Sequence, residues 1–256
     1  MGFQEEIKRK KDKEKIVVLT AYDFQIAKIL DEMQIDLILV GDSLGMVVQG
    51  HPDTKHVTMR DMIYHTRAVA RGVKNTPIIG DMPINSFNTV DDALKNAMRF
   101  LKAGTDGVKI EGNEPKVVKA LVKAGIPTMG HVGMLPQTAG SYRLKGKTTE
   151  EAEKILQDAV DLDTNGVFSI VLECIPQSLA KKITERVKAP TIGIGAGKYC
   201  DGQVLVINDM LGLDESFKPK FVKRYVNLNA VVKNAVDKFK EEVLAGKYPD
   251  EEHTYH

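Results

Sequence analysis

The sequence predicts an α/β fold, a closed (β/α)8 TIM barrel. Three observations predict it. Eight short apolar runs punctuate the chain, each the length of a strand buried on both faces and too short for a helix. Most of them alternate with amphipathic helical segments, the pattern of a parallel sheet built from βαβ units. Polar side chains capable of chemistry recur just past the runs, where such a barrel assembles its site. An open doubly wound sheet is the alternative layout. At 256 residues the chain has a length that α/β barrels reach undivided. No linker or composition break interrupts it. The expected organisation is one barrel domain over residues 1–256, with an N-terminal helix and a C-terminal helical extension.

The charged start, Lys8-Arg9-Lys10-Lys11-Asp12-Lys13-Glu14-Lys15, predicts a solvated amphipathic helix, because acids interrupt the bases. Ile16 to Thr20 is the first run. Asp23 caps the next helix, with Ile26, Ala27, Leu30 and Met33 facing inward. Leu37 to Val40 is the second run. Gly41-Asp42-Ser43-Leu44-Gly45 follows, two glycines letting the backbone turn and approach a ligand around an acid and a hydroxyl. A turn-capping role for Asp42 is the other reading. A helix spans about Thr58 to Val73, and the third run ends in Gly80-Asp81. Asn88 or Thr89 caps a helix that Gly104 stops. The fourth run is Gly107 to Gly112, and Pro115 opens a helix reaching Lys123. The fifth holds Gly130-His131-Val132-Gly133. Met134 to Lys147, rich in Gly, Gln, Ser and Lys, predicts a mobile loop. Thr149 to Leu162 is helical, the sixth run is Val167 to Leu172, and Ser178 to Val187 is helical. The seventh run leads into Gly193-Ile194-Gly195-Ala196-Gly197; the eighth is Val204 to Ile207, ahead of Asn208-Asp209. A helix from Leu228 to Leu244 and a polar tail close the chain.

Thirty-six basic and 35 acidic side chains leave a net charge of +1, so no global field points to nucleic acid or a membrane surface. No apolar run nears membrane-spanning length, and no signal-peptide core opens the chain, so a cytoplasmic location is expected. Cys174 and Cys200 suggest neither a disulfide framework nor a zinc site.

The strand ends carry Asp42-Ser43, Asp81, Lys109 with Glu111, His131, Glu173 and Asn208-Asp209. Strand alternation puts Lys109 and Glu111 on one face, inward, and Ile110 outward. A Lys and a Glu facing a barrel interior must pair or bind something. Asp42, Asp81 and Glu111 form a candidate cage for a hard divalent cation, Mg²⁺ by the oxygen-only donor set. Glu173, after the most apolar run, predicts a buried carboxyl suited to general-base work. His131 either hydrogen-bonds substrate or braces a loop. The 193–197 glycines lack the ending of a phosphate loop and predict close backbone approach instead. Cys174 has no triad partner.

Several blocks together resemble a known family. They are Val40-Gly41-Asp42-Ser43-Leu44-Gly45-Met46 with Gln49-Gly50-His51, Tyr64-His65-Thr66, Val108-Lys109-Ile110-Glu111-Gly112, Gly130-His131-Val132-Gly133 with Pro136-Gln137, Leu172-Glu173-Cys174, and the 192–197 run with Asp201-Gly202-Gln203. The chain resembles the 3-methyl-2-oxobutanoate (ketopantoate) hydroxymethyltransferases of pantothenate biosynthesis over nearly its whole length. The resemblance implies a Mg²⁺-containing barrel that transfers a one-carbon unit from 5,10-methylenetetrahydrofolate to 3-methyl-2-oxobutanoate. It implies metal ligation by Asp42, Asp81 and Glu111, oxo-acid binding by Asp42, Ser43, Asp81 and Lys109, and Glu173 as proton acceptor. It also implies a homo-oligomer, usually a decamer. Ser141 to Lys147 is shorter than the family's pattern. The rival readings are a related Mg²⁺-dependent oxo-acid lyase or mutase barrel, which needs no folate, and a catalytically silent binding barrel.

Overall fold

The computed structural model describes residues 2–140, 143–216 and 219–256. Eight parallel strands close into a barrel in sequence order, β1 (Ile16–Thr20), β2 (Leu37–Val40), β3 (Ile78–Asp81), β4 (Gly107–Lys109), β5 (Thr128–Gly133), β6 (Ser169–Glu173), β7 (Thr191–Ile194) and β8 (Gly202–Leu205). Closure comes from β1 pairing with β8, Val18 opposite Val204. The chain divides into two compact units, Met1–Val206 and Ile207–His256.

Several helix starts follow from side-chain caps. The Asp23 carboxylate accepts from the amides of Gln25 and Ile26, opening α2 (Phe24–Glu32). Thr58 and Asp61 cap α4 (Met59–Gly72) reciprocally, and Thr89 caps α5 (Val90–Ala103). Pro115 begins α6 (Pro115–Lys123), and Thr148 caps α7 (Thr149–Thr164), ahead of α8 (Gln177–Arg186). A four-residue helix, α3 (Leu44–Val47), follows the Asp42 turn. Gly45 lies in it for lack of room: a Cβ there would stand 2.5 Å from a Val57 methyl. It supplies close packing rather than the sharp turn expected.

Four further expectations are corrected. Met33 is 70% exposed; the inward place near the end of α2 belongs to Asp31, which accepts the amides of Lys74, Asn75 and Thr76 at 2.8–3.0 Å. The eighth strand is Gly202–Leu205, and Ile207 already belongs to a short helix, α9 (Ile207–Leu211). Asn208 and Asp209 are therefore helical, because Ile207 continues the apolar run while beginning a different element. The stretch after Met134 is not a free loop at its ends. Met134 and Gln137 are buried, and the Lys145 amide donates to the Cys174 carbonyl at 2.9 Å. Ser141 and Tyr142, which carry part of the expected mobility and shortening, lie outside the described residues.

The fourth correction concerns α1 (Phe3–Lys10), which is a plug rather than a solvated helix. Ile7 joins the barrel-interior cluster of Ile16, Val18, Leu37, Ile79, Met129, Phe168, Ile192 and Val204. Phe3 meets Phe168 edge-on, ring centroids 5.4 Å apart. Lys10 pairs with Asp36 at the start of β2, and Lys11 with Asp201 at the start of β8. The helix thus seals the end of the barrel opposite the strands' carboxyl ends. Ile7→Ala should cost about 2–4 kcal/mol of stability, as core truncations do, with the chemistry at the other end unchanged. Urea unfolding and turnover measured together check this; a loss of under about 1 kcal/mol would show that α1 adds little.

Candidate active site

Asp42 stands two residues past β2, Asp81 and Lys109 end β3 and β4, Glu111 follows β4 by two residues, His131 lies within β5, and Glu173 ends β6. Strand alternation is obeyed. Lys109 and Glu111 both face the interior, 4% and 6% exposed, while Ile110 is buried on the other face. Lys109 Nζ contacts Asp81 at 2.7 Å and Glu111 at 3.9 Å. His131 Nδ1 lies 3.5 Å from Glu111, and its Nε2 3.3 Å from Glu173. The Asp42 amide donates to Asp81 Oδ2 at 3.4 Å. Asp42, Asp81, Lys109, Glu111, His131 and Glu173 therefore form one contiguous network at the carboxyl ends of five neighbouring staves. Ser43, half-buried beside it, shares a 2.8 Å hydrogen bond with the buried Tyr22 hydroxyl. His65, in turn, contacts the Tyr22 carbonyl at 2.7 Å.

One member was not singled out from the sequence. Gln137, 2% exposed, donates through Nε2 to Asp42 Oδ2 and to the Met82 carbonyl, both at 2.9 Å, and through its amide to Glu111 Oε2 at 3.1 Å. Its only sequence signal was its place in the Gly130–Gln137 block. Glu173 is less enclosed than expected, its side chain 14% exposed. Asn208 and Asp209 belong to α9 and the second unit.

The electrostatics follow from burial. Desolvation, then the charges of Asp81 and Glu111, push Asp42 well above the usual carboxylate range. Desolvation raises Asp81 too, against the pull of Lys109. Desolvation acts upward on Glu111, but His131, Lys109 and the Gln137 amide outweigh it and hold Glu111 low. Burial draws Lys109 down, yet the three acids hold its ammonium above its ordinary value. Burial and Lys109 oppose a proton on His131, but Glu111 and Glu173 push it up from 6.5 to about 9. Burial, then the Glu173 charge, pushes the Cys174 thiol up to about 11, so it is no nucleophile at neutral pH. The glycine run after β7 packs tightly, as expected: a Cβ on Gly197 would collide with Gln177.

This arrangement can bind an anion, hold a cation and move a proton. A family model described as ketopantoate hydroxymethyltransferase matches residues 3–251. The chain belongs to the ketopantoate hydroxymethyltransferase family. It is 51% identical to the 3-methyl-2-oxobutanoate hydroxymethyltransferase of Syntrophomonas wolfei subsp. wolfei, over 96% of this chain and 92% of the relative. It is 52% identical to that of Ignicoccus hospitalis, over 96% and 95% respectively. A solved phosphonopyruvate hydrolase, complexed with oxalate and Mg²⁺, superimposes with a TM-score of 0.64 at 13% identity, over 99% of this chain and 93% of that one. At that identity the likeness is one of fold. No helix among the described residues is long and apolar enough to cross a membrane.

The charge state of His131 makes a checkable statement about this ketopantoate hydroxymethyltransferase family member. A His with a raised pKa contributes stability that is full below its unfolded value and lost as pH rises through its folded one. In metal-free protein that window runs from about 6.5 to about 9. NMR of the ring nitrogens should show an imidazolium titrating near the upper end. His131→Gln should flatten the stability decline across the window. A ring titrating at its ordinary value would remove the Glu111–His131–Glu173 pairing.

Proposed function

We propose that the chain transfers a hydroxymethyl group from 5,10-methylenetetrahydrofolate to 3-methyl-2-oxobutanoate, giving 2-dehydropantoate, with Mg²⁺ in the site and Glu173 as the base. The carrying observation is a deficit of positive charge. Four carboxylates (Asp42, Asp81, Glu111 and Glu173) face two cationic groups, Lys109 and His131, in the network. Burial first, and the neighbouring acids after it, hold Asp42 and Asp81 above the usual carboxylate range, against the pull of Lys109. A divalent cation would make it good, and the oxygen-only donors of Asp42, Asp81 and Glu111 fit Mg²⁺. Among the described residues no three His, Cys, Asp or Glu side chains already close into a metal cage. Lys109 lies against Asp81, so ligation calls for side-chain adjustment there.

Held by Asp42, Asp81 and Glu111, Mg²⁺ would supply Lewis-acid stabilisation of negative charge developing on the oxo acid. Lys109 faces the acids from β4 and is placed to neutralise the substrate carboxylate. Ser43, oriented by Tyr22, offers a hydroxyl to the same group. His131 binds Glu173 from one side and keeps its carboxylate aimed into the barrel mouth. Glu173 accepts the C3 proton. The carbanionic carbon then attacks the one-carbon unit and forms the new C–C bond; the bonds from the transferred carbon to the folate nitrogens break, water supplies the hydroxyl oxygen, and tetrahydrofolate leaves. Loss of the C3 proton, followed by NMR with and without Mg²⁺ and the folate donor, tests the sequence of events. Glu173→Gln should retain oxo-acid binding and lower C3–H exchange at least about 10²-fold, the scale of a lost general base. Full exchange in that variant removes Glu173 as the base; turnover without the folate donor favours a lyase or mutase chemistry.

The same reading carries a homo-oligomer, expected as a decamer.

 Its support is α10 (Leu228–Leu244), which buries none of its residues. Val232, Val236, Phe239 and Val243 recur at helical spacing and are 45–57% exposed. A second copy of this chain is the occupant that the family reading supplies for that stripe. Val236→Asp with Phe239→Asp should shift the sedimentation coefficient toward a smaller species, with circular dichroism unchanged. An unchanged assembly would take α10 out of the interface.

A further inference from the structure

Gln137 sits where three staves meet, yet it comes from the segment after β5. Both hydrogens of its side-chain amide are used, one on Asp42 Oδ2 and one on the Met82 carbonyl, each at 2.9 Å. Both partners are acceptors, so the amide has one permitted orientation: a flip would set its carbonyl against two oxygens. Its backbone N–H holds Glu111 Oε2 at 3.1 Å. One residue thus fixes two of the three carboxylates proposed to serve the cation, and ties them to the chain just past Asp81. Gln137 is 2% exposed, so water does not compete for these bonds.

We infer that Gln137 is a positioning residue for the cation, holding Asp42 by Oδ2 so that its Oδ1 is left for the ion, and holding Glu111 by Oε2 while its Oε1 faces His131 and Lys109 at 3.5 and 3.9 Å. The inference rests on the Mg²⁺ reading above. An unheld Asp42 carboxylate is free to rotate toward Lys109, which already engages Asp81 and Glu111. Rotation would trade a ligand for an ion pair. Partners that orient metal ligands in this way typically govern affinity by about 10–100-fold.

Two variants separate positioning from packing. Gln137→Ala removes the side-chain donors and keeps the backbone N–H to Glu111. Gln137→Met removes the same donors while nearly preserving volume. Calorimetric titration of Mg²⁺ into each, in the presence of 3-methyl-2-oxobutanoate, is the primary readout; Asp81→Ala is the control for the site itself. Both Gln137 variants should weaken Mg²⁺ binding by about 10–100-fold. Their kcat should recover at saturating Mg²⁺ to within a few-fold of the parent, while the Mg²⁺ concentration for half-activation rises in step with the dissociation constant. Parent-like Mg²⁺ binding in Gln137→Met, with Asp81→Ala impaired, overturns the positioning role and leaves the metal reading intact. Loss of activity at every Mg²⁺ concentration, together with a lowered thermal midpoint in both variants, overturns it in favour of packing. Absence of Mg²⁺ binding in the parent chain overturns both.

Discussion

Uncompensated negative charge, buried at the carboxyl ends of β2, β3 and β4, is the constraint on which this site depends. Removing a carboxylate from water costs on the order of several kcal/mol even after relaxation. The chain does so at Asp42, Asp81 and Glu111 and offers one lysine between them. The shifts show how the strain is divided. Glu111, held by His131, Lys109 and the Gln137 amide, stays an anion readily, whereas Asp42 and Asp81 are drawn toward their protonated forms. A stability-driven design would replace such a cluster with apolar side chains. Its retention makes sense where the charge is to be spent on a ligand.

The barrel tolerates this cluster because its two ends do different work. The closed end is apolar and filled: Ile7 and Phe3 of α1 pack on Phe168 and the interior cluster. Ion pairs from Lys10 and Lys11 to residues at the starts of β2 and β8 clamp that helix in place. The open end carries the polar network. Strand alternation makes the division sharp, since Lys109 and Glu111 face inward while Ile110 packs outward.

Much of this was legible in the chain itself. The apolar runs located the staves, and the acids just past them located Asp42, Asp81 and Glu111, because both are local patterns. The limits were equally physical. The eighth run was read two residues late because Ile207 is apolar in a helix as well as in a strand. The plug helix looked solvated because its many charges masked the spacing of Phe3 and Ile7. Met33 was placed inward by periodicity, but the amides of Lys74, Asn75 and Thr76 need an acceptor and Asp31 provides it. Gln137 sat in a stretch whose composition reads as a loop; its three bonds are to residues 26 to 95 positions away, and no local pattern encodes them.

The structure sets His131 between two carboxylates. Its Nδ1 lies 3.5 Å from Glu111 and its Nε2 3.3 Å from Glu173. A neutral imidazole has one N–H and can donate to only one of those carboxylates; the imidazolium serves both. That is why burial fails to strip its proton and its pKa rises to about 9. The ring therefore joins the acids proposed to hold a cation to the carboxylate proposed as the base. Any change in charge on the Glu111 side alters how firmly the same ring holds Glu173. Glu111 and Glu173 are thus one electrostatic unit, coupled through a single side chain.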